Sequence, residues 1–401
     1  MRGEVIRKRC LTYVSVPHLG MGHVQICVSI LEHFPNDMLS ATIVLPRAFR
    51  AISNSVDVKQ AIPYPIPYRY VSPIIIPAIN YRFRRALAAV DPRNTVAYFW
   101  TTPPLSLIRY ARARGLLTVR EMINTCTGTA KAILDEAYGR IGLQPSHTIT
   151  NEVVRNEREE LQLYDYIFAP SPMVEQSLLK AGVDPSKILR SSYGWLPSRF
   201  ASSVGEKNRA GFRALFVGTI CVRKGIPQLL AAWKMSGVKG ELLLAGDVEA
   251  SLKPLLAQYL EGHGVRLAGY MSDVGHLLRS ADIFVFPTLE EGDPLVTYEA
   301  AGCGLPIITT LMGSANIIRH GVNGLVVSPY DVDGLAQAIS RLANSPELRN
   351  RLALQAAKDA QNYTYEKVGS ERARILSGLL IARSGARSKN CGTKAEPTNI
   401  G

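Results

Sequence analysis

Two carboxylates, Glu291 and Glu299, stand with seven residues between them in Glu290-Glu291-Gly292-Asp293-Pro294-Leu295-Val296-Thr297-Tyr298-Glu299. An ionised carboxylate only accepts hydrogen bonds, so such a pair suits a ligand rich in hydroxyl donors. Upstream, Val217-Gly218-Thr219-Ile220-Cys221-Val222-Arg223-Lys224-Gly225-Ile226 flanks a basic pair with glycines. Arg and Lys in that setting neutralise a diphosphate and stabilise charge as it develops on a leaving group. The chemistry indicated is the neutralising of a diphosphate beside two acceptor carboxylates, which on their own are compatible with several ligands.

These residues need a scaffold that brings them to one edge. Ala281-Asp282-Ile283-Phe284-Val285-Phe286-Pro287 reads as a short buried strand that Pro287 ends, which places Glu291 at a strand's carboxyl end. Pro294 fits the first turn of a helix, and Gly302 to Pro306 ends that helix before the strand Ile307-Ile308-Thr309-Thr310. A helix start at the carboxyl edge of a sheet is an anion site, here offering the amides near Leu295 and Val296. Gly246-Asp247 also follows a strand, so in a doubly wound sheet it converges on the same edge as Gly218, Lys224 and Glu291.

Strand and helix patterns alternate along all 401 residues, predicting parallel sheets covered by helices. In the first half the strands are Leu11 to Val16, Ala41 to Leu45, Thr95 to Trp100, Leu116 to Val119 and Tyr166 to Ala169. Those of the second half are Arg213 to Val217, Glu241 to Ala245, Val265 to Leu267, Ile283 to Phe286, Pro306 to Thr309 and Gly324 to Val327. The division expected is a first Rossmann-like domain over 1–205, a second over 206–365, a last helix over 366–383 and a flexible tail over 384–401. Pro63, Pro65 and Pro67 alternate with Tyr64, Ile66 and Tyr68, and Ile74 to Pro77 and Arg82, Arg84 and Arg85 follow. This region reads as an irregular crossover loop leading into a basic helix start, with a lipid interface or an acceptor contact as the other reading.

A hydrophobic content of 47% supplies two domain cores. No apolar run approaches the ~20 residues of a membrane-spanning helix, and the expectation is a cytoplasmic protein. The six cysteines are scattered with no C-x-x-C pair, which argues against a disulfide framework or zinc site. The formal charge is +13, and residues 1–200 hold 24 Lys and Arg against 15 Asp and Glu. An anionic partner is implied. Nucleic acid is disfavoured by the lack of a zinc-finger spacing, an RNA-binding signature or an aromatic ladder, which leaves an anionic membrane surface at the inner face or a phosphorylated substrate.

In this order, Val217-Gly218…Arg223-Lys224-Gly225-Ile226, Ala281 to Pro287, Glu291-Gly292…Glu299-Ala300, Cys303-Gly304-Leu305-Pro306 and His320-Gly321-Val322-Asn323-Gly324 resemble the nucleotide-sugar domain of glycosyltransferase family 4. The resemblance is close over Arg213 to Tyr365 and looser before it, at Gly20-Met21-Gly22-His23 and Tyr166 to Ser171. It implies a GT-B fold of two doubly wound Rossmann-like domains facing a cleft, with the C-terminal helix returning to the first domain. It also implies retaining transfer of a sugar from a UDP- or GDP-type donor, with no further cofactor.

On the resemblance Lys224 contacts the diphosphate, Glu291 the donor-sugar hydroxyls and Glu299 the ribose, with Gly292, Asp293, Leu295 and Val296 lining the same loop. Two departures stand out: Thr219 where relatives often carry Arg, leaving Arg223 to share that work, and Pro294, which cannot donate to a phosphate. Gly20 and Gly22 would face the diphosphate across the cleft. His23 reads either as a general base or as a packing histidine, a donor phosphate oxygen being the other base available. Glu121 is a candidate for acceptor positioning and Tyr270 for a place near the base. Asp331-Val332-Asp333 precedes an apolar helix and reads as an N-cap and first-turn acid, so no essential metal site is expected.

The function expected is retaining transfer to the hydroxyl of a glycan, a lipid-linked acceptor or a small glycoside. The alternatives are an inverting transferase, a sugar phosphorylase on the same architecture, and a catalytically silent sugar-nucleotide or anionic-surface binding protein. Glu291, Glu299 and Lys224 together weigh against silence.

Overall fold

A computed structural model describes residues 7–63, 72–200, 211–271 and 273–391. The stretch 201–210, read above as a linker, and most of the Pro63 to Tyr70 run lie outside the described residues. There are two sheets. The first contains β1 (Arg9–Tyr13), β2 (Ser40–Leu45), β3 (Val56–Gln60), β4 (Thr95–Phe99), β5 (Leu117–Glu121), β6 (Tyr166–Ala169) and β7 (Ile188–Arg190), ordered β3-β2-β1-β4-β5-β6-β7. The second contains β8 (Phe212–Val217), β9 (Gly240–Ala245), β10 (Val265–Gly269), β11 (Ile283–Phe286), β12 (Ile307–Thr310) and β13 (Gly324–Val327), ordered β10-β9-β8-β11-β12-β13. Each described register is parallel, for example Tyr13 beside Val44 and Phe99, and Val217 beside Ala245. The doubly wound α/β reading is borne out.

The central strands form where the sequence is continuously apolar because both sheet faces are covered there. β4 and β11 are buried along their whole length. In the second sheet Phe216, Phe284 and Phe286 stack with centroids 5.8 and 5.9 Å apart, and Pro287, lacking an N–H, ends the central strand. Helix starts are capped by side chains: Ser171 accepts from Val174 N, and Ser345 from Leu348 N. Asp331 likewise caps Val332–Asn344 through Gly334 N, as the sequence predicted.

By contacts the chain divides into two units, one within Met1–Glu121, Glu160–Phe168 and Glu366–Gly401 and the other within Met122–Glu159 and Ala169–Tyr365. The last helix, Tyr365–Cys391, therefore contributes nearly all its length to the first unit. It is also longer than the sequence reading, continuing helical eight residues into the stretch taken as tail.

One local reading is corrected. The segment Ser72–Ala88, taken in part as an irregular loop, is helical with Pro77 inside it. Pro77 has no N–H to give the Pro73 carbonyl, and Pro73 is exposed near the helix start, where the lost bond faces solvent. Ile79, Phe83 and Leu87 are buried from this helix, and Phe83 meets Tyr13 edge-on at 5.1 Å. No helix among the described residues is long and apolar enough to cross a membrane.

Candidate active site

The residues singled out between Gly218 and Glu299 all lie in the second unit, at the carboxyl ends of β8, β9, β10 and β11. After β8 the chain passes through Gly218 and Thr219 into a short turn, Val222–Lys224, before the helix Ile226–Ser236. Gly218 and Gly246 hold φ +143° and +142°, and a Cβ on Gly246 would overlap the Gly218 carbonyl. Glycine at these two loops lets the β8 and β9 exits touch, leaving a cavity of about 250 Å³ lined by Arg199, Gly218, Thr219, Asp247 and Tyr270, among others.

After β11, Thr288 to Pro294 leads into the helix Leu295–Gly302. Glu291 is buried, and Lys224 Nζ makes an ion pair with its Oε1 while also lying 5.0 Å from the Phe286 ring centroid. Arg223 Nη1 reaches the same oxygen at 3.4 Å, and Thr288 Oγ1 donates to it at 3.1 Å. Burial alone would push the Glu291 carboxyl up, but the charges of Lys224 and then Arg223 outweigh it and hold it below its ordinary 4.5. The carboxylate is thus ionised at neutral pH and fixed in orientation.

Glu299 differs. It is largely buried on the helix Leu295–Gly302, its one ion-pair contact is Arg199 Nη1 at 3.8 Å, and no hydrogen bond to its carboxylate occurs among the described residues. Burial raises its carboxyl above the ordinary 4.5, which Arg199 offsets only in part. With part of its side chain still open to solvent, this carboxylate has capacity for a ligand's hydroxyls. The amides of Leu295 and Val296 begin the same helix, where no intrahelical acceptor exists for a first-turn N–H. The N-cap is Pro294, whose side chain makes no capping bond.

Two assigned residues take other roles. Asp293 is buried, and its carboxylate accepts from the Tyr298 hydroxyl at 2.9 Å and from Tyr193 N at 2.6 Å. These bonds tie it to the loop's own support. Glu121, the acceptor-positioning candidate, belongs to the first unit with zero exposure, its carboxylate engaged by Arg372 and the Tyr98 hydroxyl. A carboxylate sealed in this way has no route to an acceptor. Arg223 is also more committed than its sequence position suggested, with Nη1 spent on the Glu290 carbonyl (3.1 Å) and on both neighbouring carboxylates.

Gly20, Gly22 and His23 are in the first unit, where the chain leaves β1 and enters the helix Gly22–Glu32. The His23 imidazole is held below its ordinary 6.5 by burial and then by the Arg120 charge, so it is neutral at pH 7. Its Nε2 is buried without a hydrogen-bond partner among the described residues. Tyr270 is 64% exposed on the wall of the Gly218 cavity.

Sequence reasoning overlooked the pairing of Glu290 with Thr125. Glu290 is buried, and its Oε1 accepts from Thr125 Oγ1 at 2.8 Å. Two consecutive acids facing two consecutive bases, Arg223 and Lys224, was the available signal.

Two parallel-sheet Rossmann-like domains with these loops define a class, the GT-B fold. The Anabaena protein HepE, solved in complex with UDP and glucose, matches 93% of this chain and 100% of its own with TM-score 0.69 at 16% identity. Sucrose-phosphate synthase from Thermosynechococcus elongatus matches 94% of this chain and 100% of its own with TM-score 0.72 at 19% identity. Residues 211–345 match the family model for glycosyl transferases group 1, so the site-bearing segment is a glycosyl transferases group 1 domain.

Two sequence relatives agree. An uncharacterized glycosyltransferase of Methanocaldococcus jannaschii is 29% identical over 169 residues, 40% of this chain and 43% of that protein. The N,N'-diacetylbacillosaminyl-diphospho-undecaprenol alpha-1,3-N-acetylgalactosaminyltransferase of Campylobacter jejuni is 29% identical over 150 residues, 37% of this chain and 40% of that protein. The chain spans less than half the length of these curated relatives.

Proposed function

We propose that the protein is a retaining glycosyltransferase that moves a sugar from a UDP- or GDP-type nucleoside-diphosphate sugar to an acceptor hydroxyl. The observation that carries this is Glu299: a largely buried carboxylate with no hydrogen-bond donor among the described residues, on the same strand edge as the Lys224–Glu291 pair and the Gly218 cavity. On this reading Glu299 accepts from the ribose hydroxyls, the cavity beside Tyr270 takes the base, and Glu291 orients the sugar. Lys224 and the first amides of the helix Leu295–Gly302 stabilise the diphosphate.

In the reaction the bond from the sugar's anomeric carbon to the diphosphate oxygen breaks and its electron pair leaves with the phosphate. The acceptor oxygen bonds to the same face of that carbon, and its proton passes to the departing phosphate oxygen. No further cofactor is required for this balance. HepE, solved with UDP and glucose, supports uridine nucleotides as the first donors to test, and the Campylobacter relative's name supports a lipid-linked acceptor among the candidates. We place the enzyme on the cytoplasmic side, with peripheral contact with anionic membrane through the first unit's arginines.

The test is a panel of UDP- and GDP-sugars scored by thermal shift and donor hydrolysis, with Glu291→Ala as control. At a hundredfold excess over Kd the correct donor stabilises the protein by about 2.7 kcal/mol. Loss of hydrolysis in Glu291→Ala is expected. Absence of stabilisation by every nucleotide sugar would overturn the enzyme reading.

A further inference from the structure

The second unit carries a buried acid that the proposed reaction does not use. Glu290 lies beside the donor-contacting Glu291 but points its side chain to other partners: Thr125 Oγ1 donates to Oε1 at 2.8 Å and Arg223 Nη1 lies 3.4 Å from Oε2. Arg223 Nη1 also reaches Glu291 Oε1 and the Glu290 carbonyl, so one guanidinium bridges both acids. Arg223 O in turn accepts from Leu289 N at 2.9 Å and from Thr288 Oγ1 at 3.3 Å.

Thr125 belongs to the short loop that follows β5, and that loop meets the Glu290–Asp293 segment at two further points. Gly292 has no room for a side chain, since a Cβ there would overlap the Ile123 carbonyl. Tyr193 donates its hydroxyl to Met122 O at 3.1 Å and its amide to Asp293 Oδ2. The Thr125 bond is the only one of these contacts that ends on a charged side chain next to Glu291.

We propose that Glu290 is a positioning residue that clamps Arg223 and the Met122–Thr125 loop around Glu291, so that the loop after β5 and the sugar-orienting carboxylate are held as one body. This rests on the role proposed above for Glu291. Four charges face one another: Glu290 and Glu291 from the loop after β11, Arg223 and Lys224 from the turn after β8. They balance. The balance carries a stability cost, since burial and then the Glu291 charge push the Glu290 carboxyl above its ordinary 4.5. Ionised Glu290 therefore destabilises the fold as pH rises through that raised value, a cost retained for orientation.

The experiment compares Glu290→Gln, Thr125→Val, their combination and Thr125→Ser. Its readouts are calorimetric binding of UDP and GDP, hydrolysis of the donor found by the panel, melting temperature at pH 8, and hydrogen exchange of the Met122–Thr125 amides. For Glu290→Gln we expect a Tm equal to or above the parent's, UDP or GDP Kd within about threefold, and donor turnover down by about tenfold or more. Amide exchange in the loop should quicken in Glu290→Gln and Thr125→Val alike, with the combination no worse than Glu290→Gln and Thr125→Ser restored.

Unchanged loop exchange in Glu290→Gln, or multiplicative losses in the combination, would overturn the clamp. So would a fall in turnover that merely tracks a lowered Tm. If the parent binds neither UDP nor GDP and hydrolyses no nucleotide sugar, the reading of Glu291 fails, while exchange and melting still decide the clamp.

Discussion

Arg372 and Glu121 form an ion pair closed to solvent, with side-chain exposures of 1% and 0%. The Arg372 guanidinium also donates to the Tyr98 hydroxyl at 2.6 Å and stacks 4.0 Å from the Phe168 ring centroid. One arginine of the last helix is thereby fastened to β4, β5 and β6, all within the first unit. Removing one partner of such a pair leaves a buried charge without compensation. Glu121→Ala should therefore cost about 3–5 kcal/mol in chemical denaturation, whereas replacing both partners by Leu and Met should cost far less. If Glu121→Ala were as stable as the parent but impaired only in acceptor KM, the structural role would be refuted.

Glu299 yields a pH prediction of definite sign. Its folded-state carboxyl lies above the unfolded 4.5 because burial disfavours the charge. The native state therefore binds the proton more readily than the unfolded chain, and the group's stabilising contribution is full at low pH and lost as pH rises through the raised value. Nucleotide binding runs the opposite way, because protonation removes the acceptor, so affinity for UDP or GDP should fall on acidification before pH 4.5 is reached. Glu299→Gln should melt no lower than the parent at pH 7.5 yet lose about 1.5–3 kcal/mol of nucleotide binding. Parental affinity in that variant would remove Glu299 from the site.

How much of this was legible depended on distance along the chain. Ile283–Phe286 has the bounds that its apolar run predicted, because a strand covered on both faces declares itself locally, and Gly324–Val327 keeps its predicted bounds although it is a part-buried edge strand. β3 escaped notice since Val56-Asp57-Val58-Lys59-Gln60 lies at the sheet edge and is half polar, and β7 has only three residues. The role of Glu121 was misread because its partner Arg372 is 251 residues away. The Thr125–Glu290 bond spans 165 residues and was invisible for the same reason. Glu291, Glu299 and Lys224 were legible because two short loops carry their order and spacing.

The first unit supports a prediction about surfaces. At 100° per residue Ile74, Tyr81 and Arg85 of the helix Ser72–Ala88 fall on one line, opposite the buried Ile79, Phe83 and Ala86. Ile74 is 53% and Tyr81 64% exposed, and Arg82, Arg84 and Arg85 are exposed beside them. Arg84 stacks on Tyr110 of the packed helix Leu105–Ala113 at 4.2 Å, and that helix adds exposed Arg109 and Arg112. Neither helix contains an Asp or Glu.

Apolar and aromatic side chains among arginines, without acids, match a headgroup layer carrying negative charge. Sedimentation with vesicles containing phosphatidylserine should retain the protein in low salt, and less so near 0.15 M, where the Debye length is about 8 Å. Each arginine near the surface contributes about 1 kcal/mol, so Arg82→Glu with Arg85→Glu should release the protein, and Ile74→Ser should weaken retention without altering its salt dependence. Equal retention on purely zwitterionic vesicles, or indifference to the charge reversals, would show that this face does not read anionic lipid.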